Sequence, residues 1–274
     1  MTKLVLETLT AWLGSGKKVG MASVVEVSGS VPGKSGARLA ISKGDVVGTV
    51  GGAGLEMKVI ERLRELVDSS HKPAGEVITF GLHKGAKGYE VIPLDSLCGG
   101  RVTLALEVII AMPHILLMGG GHCAKAISLG LQPLGWAFSV HDTREEYSTI
   151  PGAVESHHCS VAEFFALEES LDRFSDILLL GHDWQEDEER LLTLLNTTFS
   201  GRIGVIGSRS KWQAFEQKAL SVGINQDSLD AVNCPIGLNI GAESPEEIAI
   251  AVIAEIIASC KGVDPDEGNW RNQS

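Results

Sequence analysis

Apolar residues recur along this chain with two spacings, and the change from one to the other lays out the fold. Leu4, Leu6, Leu9, Trp12 and Leu13 form the apolar face of a first helix, which the glycines at 14 and 16 should end. Residues 19–27, 37–41 and 46–50 read as strands, with a flexible polar loop at 28–36. A helix is expected over about 55–67, and further strands over 76–80 and 101–109. This first stretch, residues 1–111, predicts a small mixed α/β domain. From residue 112 the pattern becomes a regular alternation. Strands are expected at 114–118, 137–142, 153–157, 176–181 and 202–206, with helices between them over 124–131, 161–171 and 187–196. Another helix should follow Ser208, and the last should run from Ser244-Pro245-Glu246-Glu247 to about residue 257. Such alternation predicts a parallel sheet with helices packed on it, a Rossmann-like domain over residues 112–262. The final residues, 263–274, are rich in Asp, Gly and Asn and read as a flexible tail.

The most informative junction lies at residues 114–142. An apolar run meets Gly119-Gly120-Gly121, a helical pattern follows, and a second apolar strand ends at Asp142. Gly119, Gly121 and Ala124 fill the three small-residue positions of a dinucleotide loop. The first permits the turn, the second lets a ligand approach the backbone, and the third lets helix pack on strand. The helix start offers free N–H groups to an anion. Asp142 stands where an acid can accept from a ribose hydroxyl, which favours a free 2′-hydroxyl, while Arg144 two residues on favours a 2′-phosphate.

Two other junctions have the same outline. Gly51-Gly52-Ala53-Gly54 precedes a helix and reads either as a tight turn or as an anion-binding loop. Ser208 and Arg209 also open a helix, as an anion clamp or as an ordinary cap. His182-Asp183 follows a strand, where open α/β sheets bind ligands, although a loop histidine needs no ligand to explain it.

Composition narrows the function. A formal net charge of −12 disfavours nucleic acid or an anionic membrane surface as partner. The longest apolar region, 102–118, is interrupted by Glu107, Pro113 and His114, so no membrane span is expected. The N-terminus lacks the pattern of a secretory signal, and a cytoplasmic protein is expected. Five cysteines without C-x-x-C spacing indicate neither a disulfide framework nor a structural zinc site. His157, His158 and Cys159 have ligand-type side chains, but adjacent residues rarely converge on one ion.

Several stretches, in one order, resemble the XdhC/CoxI family, the xanthine dehydrogenase accessory proteins. They are ASVVEVSGSVPGKSGARLAIS (22–42), GTVGGAGLE (48–56), CGGRVTLALE (98–107), GGGHCAKAI (119–127), HDTREEY (141–147), GHD (181–183), IGVIGSRSK (203–211) and CPIGLNIGAESPEEIAIAVIAEI (234–256). The resemblance implies a C-terminal Rossmann domain and a chaperone-like accessory role without turnover. It also implies binding of molybdenum cofactor (molybdopterin) and help in inserting its sulfurated form into a molybdenum hydroxylase apoenzyme. A cysteine desulfurase partner and a homodimer are implied as well. On this reading the cofactor-binding residues are Gly119, Gly121, His122, Ala124, Asp142, Ser208, Arg209, Gly51, Gly52 and Cys98. The Cys98 thiol would be a soft group near molybdenum, its alternative being a packed core residue. The other functional readings are an NAD-dependent oxidoreductase and a nucleotide-sensing binding protein.

Overall fold

Helix α1 (Thr2–Gly14) stops where the glycines break its apolar face, with Gly16 at φ +73°. The computed structural model describes residues 2–70, 72–82, 91–94, 99–168 and 170–265, and it divides into two units, 1–111 and 112–274. Cys98 and residues 266–274 of the expected tail lie outside the described residues.

In the first unit, β1 (Val19–Ser28), β2 (Arg38–Ser42), β3 (Asp45–Gly48), β4 (Ala74–Gly81), β5 (Val91–Pro93) and β6 (Arg101–Ile109) form one sheet. Its order is β3-β2-β1-β6-β4-β5, antiparallel except where β4 meets β5. Helix α2 (Ala53–Ser69) buries Leu55, Val59 and Leu63, a stripe at every fourth residue, in one core with Val24, Leu39, Leu104 and Leu106. On α1, Val5 and Leu9 join Val19 and Ala40 in a separate cluster.

In the second unit, β7 (His114–Met118), β8 (Ala137–Asp142), β9 (Ser156–His158), β10 (Asp176–Leu179), β11 (Arg202–Val205) and β12 (Val232–Asn233) form an entirely parallel sheet. Helices α3 (His122–Leu131), α4 (Val161–Leu167), α5 (Trp184–Leu195), α6 (Arg209–Ser221), α7 (Gln226–Asp230) and α8 (Pro245–Lys261) complete it. Two cores result. Ala124, Ile127 and Leu131 of α3 share one with Val252 and Ile256 of α8, and Phe164, Leu191 and Phe215 of α4, α5 and α6 share the other. The strand order is β12-β11-β10-β7-β8-β9. The chain therefore adds β8 and β9 on one side of β7, then crosses to add β10, β11 and β12 on the other. Beyond the carboxyl ends of β7 and β10 this reversal opens the crevice where sheets of this kind bind ligands.

Some elements differ from the pattern-based expectation. Helix α4 ends at Leu167 and not at Leu171, because Glu168 turns to an extended conformation and Leu171 reaches the core from the following turn, only 6% exposed. Helix α5 begins at Trp184, three residues early, because Asp183 accepts hydrogen bonds from the Gln185 and Glu186 N–H groups. The short β5, α7 and β12 had too few residues to show a period.

Candidate functional site

Three glycines join β7 to α3, and the structure gives each a different reason. Gly119 has φ +111°, and a side chain there would meet the Leu180 carbonyl carbon at 2.7 Å. At Gly120 a Cβ would collide with the Tyr147 carbonyl oxygen. Gly121 is unlike both. Its φ of −70° is open to any residue, and nothing lies within 4 Å of where its Cβ would stand. Among the described residues, neither its backbone angle nor a neighbouring atom requires glycine at 121, and the backbone there is open.

Helix α3 begins at this point without a side-chain cap. By contrast Ser160, Asp183, Ser208, Asn225 and Ser244 cap α4, α5, α6, α7 and α8. The first-turn N–H groups of α3 thus face the loop with no capping side chain. His122 is exposed on that turn, while Ala124 is fully buried and lets the helix sit close on the sheet.

Asp142, at the end of β8, turns its carboxylate back to the loop. It accepts from the Gly120 N–H at 2.8 Å, and from the Arg144 backbone N–H, Nε and Nη2 at 2.9 Å each. Burial pushes this carboxyl up, but the hydrogen bonds from Arg144 and Gly120 outweigh it and hold the group down at about 2. The Arg144 guanidinium lies 3.9 Å over the Tyr147 ring, and Lys125 Nζ lies 5.4 Å from the same ring.

Beneath the ends of β10 and β11 runs a buried ionic chain. Asp187 accepts from the Gly181 N–H at 3.2 Å, Arg190 Nη1 at 2.9 Å and Lys211 Nζ at 2.8 Å. Arg190 Nη2 reaches Glu186 at 3.2 Å, and Thr143, just past β8, donates to Glu186 at 2.8 Å. These partners hold the loops after β8, β10 and β11 in one arrangement. His141, fully buried on β8, bonds the Cys159 carbonyl oxygen at 3.0 Å through Nε2 and leaves Nδ1 unpartnered. Burial, and then the charge of Arg190, pushes its pKa down to about 4.

At the third junction, Ser208 accepts from the Lys211 N–H at 3.3 Å as the cap of α6, and Lys211 turns inward to Asp187. Arg209 is exposed, with no hydrogen bond or ion pair among the described residues. In the first unit, the glycines before α2 meet backbone demands. Gly51 (φ +94°) packs on Gly33, and Gly52 (φ +79°) packs on Pro32. Glu56 brings its own carboxylate to that turn, accepting from the Gly51 N–H at 3.3 Å and bonding Thr49 Oγ1. An anion already belongs to this helix start.

Glu155, His157 and Glu168 place ligand-type atoms within 4.8 Å of one another. Arg173 supplies the positive charge there, donating to Glu155 at 2.7 Å and to Glu168 at 2.6 and 3.0 Å. The Cys123, Cys159 and Cys234 thiols are all shifted up by burial, Cys234 to about 11, so they stay protonated. Of the residues the sequence suggested, Gly119, Gly121, His122, Ala124 and Asp142 come together at one loop. Gly51 and Gly52 belong to the other unit. The roles of Gly120, Tyr147, Asp187 and Lys211 were not legible beforehand. A third consecutive glycine in the loop was the signal for Gly120.

Comparison with known proteins supports a Rossmann domain in the second unit. Residues 115–256 match the XdhC Rossmann domain, and residues 12–81 match the XdhC and CoxI family. The chain belongs to the XdhC and CoxI family. It is 32% identical over 240 residues to YqeB of Escherichia coli strain K12, covering 86% of this chain and 42% of that protein. It is 29% identical over 163 residues to a probable xanthine dehydrogenase component from Bacillus subtilis strain 168, covering 55% of this chain and 44% of that one. The chain thus spans less than half the length of either relative. A crystal structure of a xanthine dehydrogenase from Bacillus halodurans aligns with a TM-score of 0.49 at 18% identity, covering 97% of this chain and 98% of that one. Among the described residues, no helix is long and apolar enough to cross a membrane.

Proposed function

We propose that this member of the XdhC and CoxI family is an accessory protein of a xanthine dehydrogenase-type molybdenum hydroxylase, and that it binds molybdenum cofactor in a dinucleotide-like form. The observation that carries the reading is the open space at Gly121, in front of a helix start with no side-chain cap. A phosphate fits there, since backbone N–H groups and a helix dipole favour an anion and no Cβ stands in its way. Gly119, Gly121, His122 and Ala124 would form the cradle, with Arg209 a cation beyond the end of β11. The bound group would supply molybdenum with its terminal sulfur. The chain's own part is to hold the phosphates, orient the pterin and deliver the whole to an apoenzyme. Sulfur supply by a cysteine desulfurase and operation as a homodimer belong to the same proposal. An NAD-dependent oxidoreductase would use the same loop. It is the weaker reading, because the Asp142 carboxylate already has four hydrogen bonds.

The test is the small molecule released when protein purified from a cofactor-producing host is denatured. Pterin fluorescence with molybdenum is the expected result, together with activation of a hydroxylase apoenzyme supplied with cofactor. A protein that releases neither and activates nothing, but reduces NAD with a substrate, would place the oxidoreductase first.

A further inference from the structure

The end of β8 determines what a Rossmann loop offers the ligand beside its phosphates. A site for an unmodified ribose needs an acceptor there with a lone pair to give to a hydroxyl. Asp142 stands at that position, 1% exposed. Its oxygens accept from the Gly120 N–H at 2.8 Å and from the Arg144 N–H, Nε and Nη2 at 2.9 Å. A carboxylate has about four such acceptor positions. The four bonds already made leave none for a diol.

What the position presents instead is a set of donors. The Arg144 side chain is 26% exposed, held by its fork onto Asp142 and by stacking at 3.9 Å on Tyr147. Its Nη1 has no hydrogen bond among the described residues. Lys125, exposed on α3, brings Nζ to 5.4 Å from the same ring. Tyr147 is fixed to the loop in turn, because its carbonyl oxygen lies against Gly120. Two cations therefore flank one aromatic ring next to the glycine turn, with the nearby carboxylate neutralised by one of them.

We propose that the ligand of this site carries a phosphomonoester beside Arg144, where an NAD-type ligand would carry a free diol, and that Arg144 and Lys125 select it. The inference rests on the glycine loop being a nucleotide cradle. A planar guanidinium with a free edge suits a phosphate, and a lysine one helical turn into α3 adds a second charge to the same anion.

The experiment is calorimetric titration of the full chain with 2′-phospho-ADP-ribose and with ADP-ribose. The phosphorylated probe should bind about tenfold more tightly, with a preference that shrinks as salt is raised. Lys125→Ala, at an exposed position, should lower affinity for that probe alone. Arg144→Ala frees Asp142 and should reverse the preference, and Arg144→Lys, which keeps a charge over the buried carboxylate, guards against a folding failure and should retain part of it. Equal affinity for the two probes, with both lost in Gly121→Val, keeps the cradle and overturns the selection. Tighter binding of ADP-ribose overturns it as well. A chain that binds neither probe yet releases a pterin on denaturation overturns this inference and leaves the proposed function standing.

Discussion

The Asp187 carboxylate, with no solvent exposure, accepts from Lys211 Nζ at 2.8 Å on one oxygen and from Arg190 Nη1 at 2.9 Å on the other. Helix α5 is thereby joined to the first turn of α6 beneath the ends of β10 and β11. Breaking a buried pair from one side leaves the remaining charges without compensation, a cost of about 3–5 kcal/mol. Asp187→Ala should lose stability of that order in urea unfolding. Lys211→Met leaves Asp187 its bonds to Arg190 and Gly181 and should lose only about 1–3 kcal/mol. The reverse ranking would mean that Lys211, and not Asp187, is the centre of the network.

Adjacent glycines should respond in opposite ways. Gly121→Val meets open space at φ −70°, so its melting temperature should stay within about 3 °C of the parent while ligand affinity is lost. Gly120→Ala drives a methyl into the Tyr147 carbonyl and should destabilise by more than about 3 kcal/mol. Thermal melts and titrations on the two variants decide the matter. A folded Gly121→Val chain with unchanged affinity would put the phosphate cradle elsewhere.

Ser208 and Arg209 separate a cap from a clamp. Loss of the Ser208 hydroxyl removes the bond from the Lys211 N–H, and Ser208→Ala should cost about 1 kcal/mol. Arg209→Ala should leave unfolding unchanged and, on the proposed function, weaken cofactor retention about tenfold. If retention is full in the arginine variant, residues 208–211 are only the start of a helix.

Acid should weaken the fold through His141 before it reaches the carboxylates. With the folded pKa down at about 4 and an ordinary histidine near 6.5, the unfolded chain binds the extra proton between those values. Stability is therefore complete above about pH 6.5 and falls as the pH drops towards 4. His114, also lowered by burial, adds the same sign. Between about pH 4 and 2 Asp142 follows, since its depressed pKa contributes stability that protonation removes. Urea midpoints at pH 7 and pH 5 should differ less in His141→Phe than in the parent. An identical pH dependence in the two chains would assign the acid sensitivity to other groups.

The sequence by itself determined most of the fold. The bounds of β6, β7 and β8 follow from apolar runs closed by glycine, proline or acid, and the match is to the residue. Ser244-Pro245-Glu246-Glu247 announces the start of α8 because a capping box is local. Ser244 accepts from the Glu247 N–H at 3.2 Å, and Glu247 accepts from the Ser244 N–H at 3.0 Å. The glycine loop and Asp142 were legible as neighbours for a similar reason, since a strand, a turn and a helix fix their spacing. Only the tertiary structure decided how the charges are used. Arg144 folds back onto Asp142, Lys211 finds Asp187 24 residues away, and Glu56 occupies the helix start that Gly51 and Gly52 offered to a ligand in the sequence. Periodicity records which side of an element faces the core. Pairing between charges depends on strand order and on distance through space, neither of which a one-dimensional pattern contains.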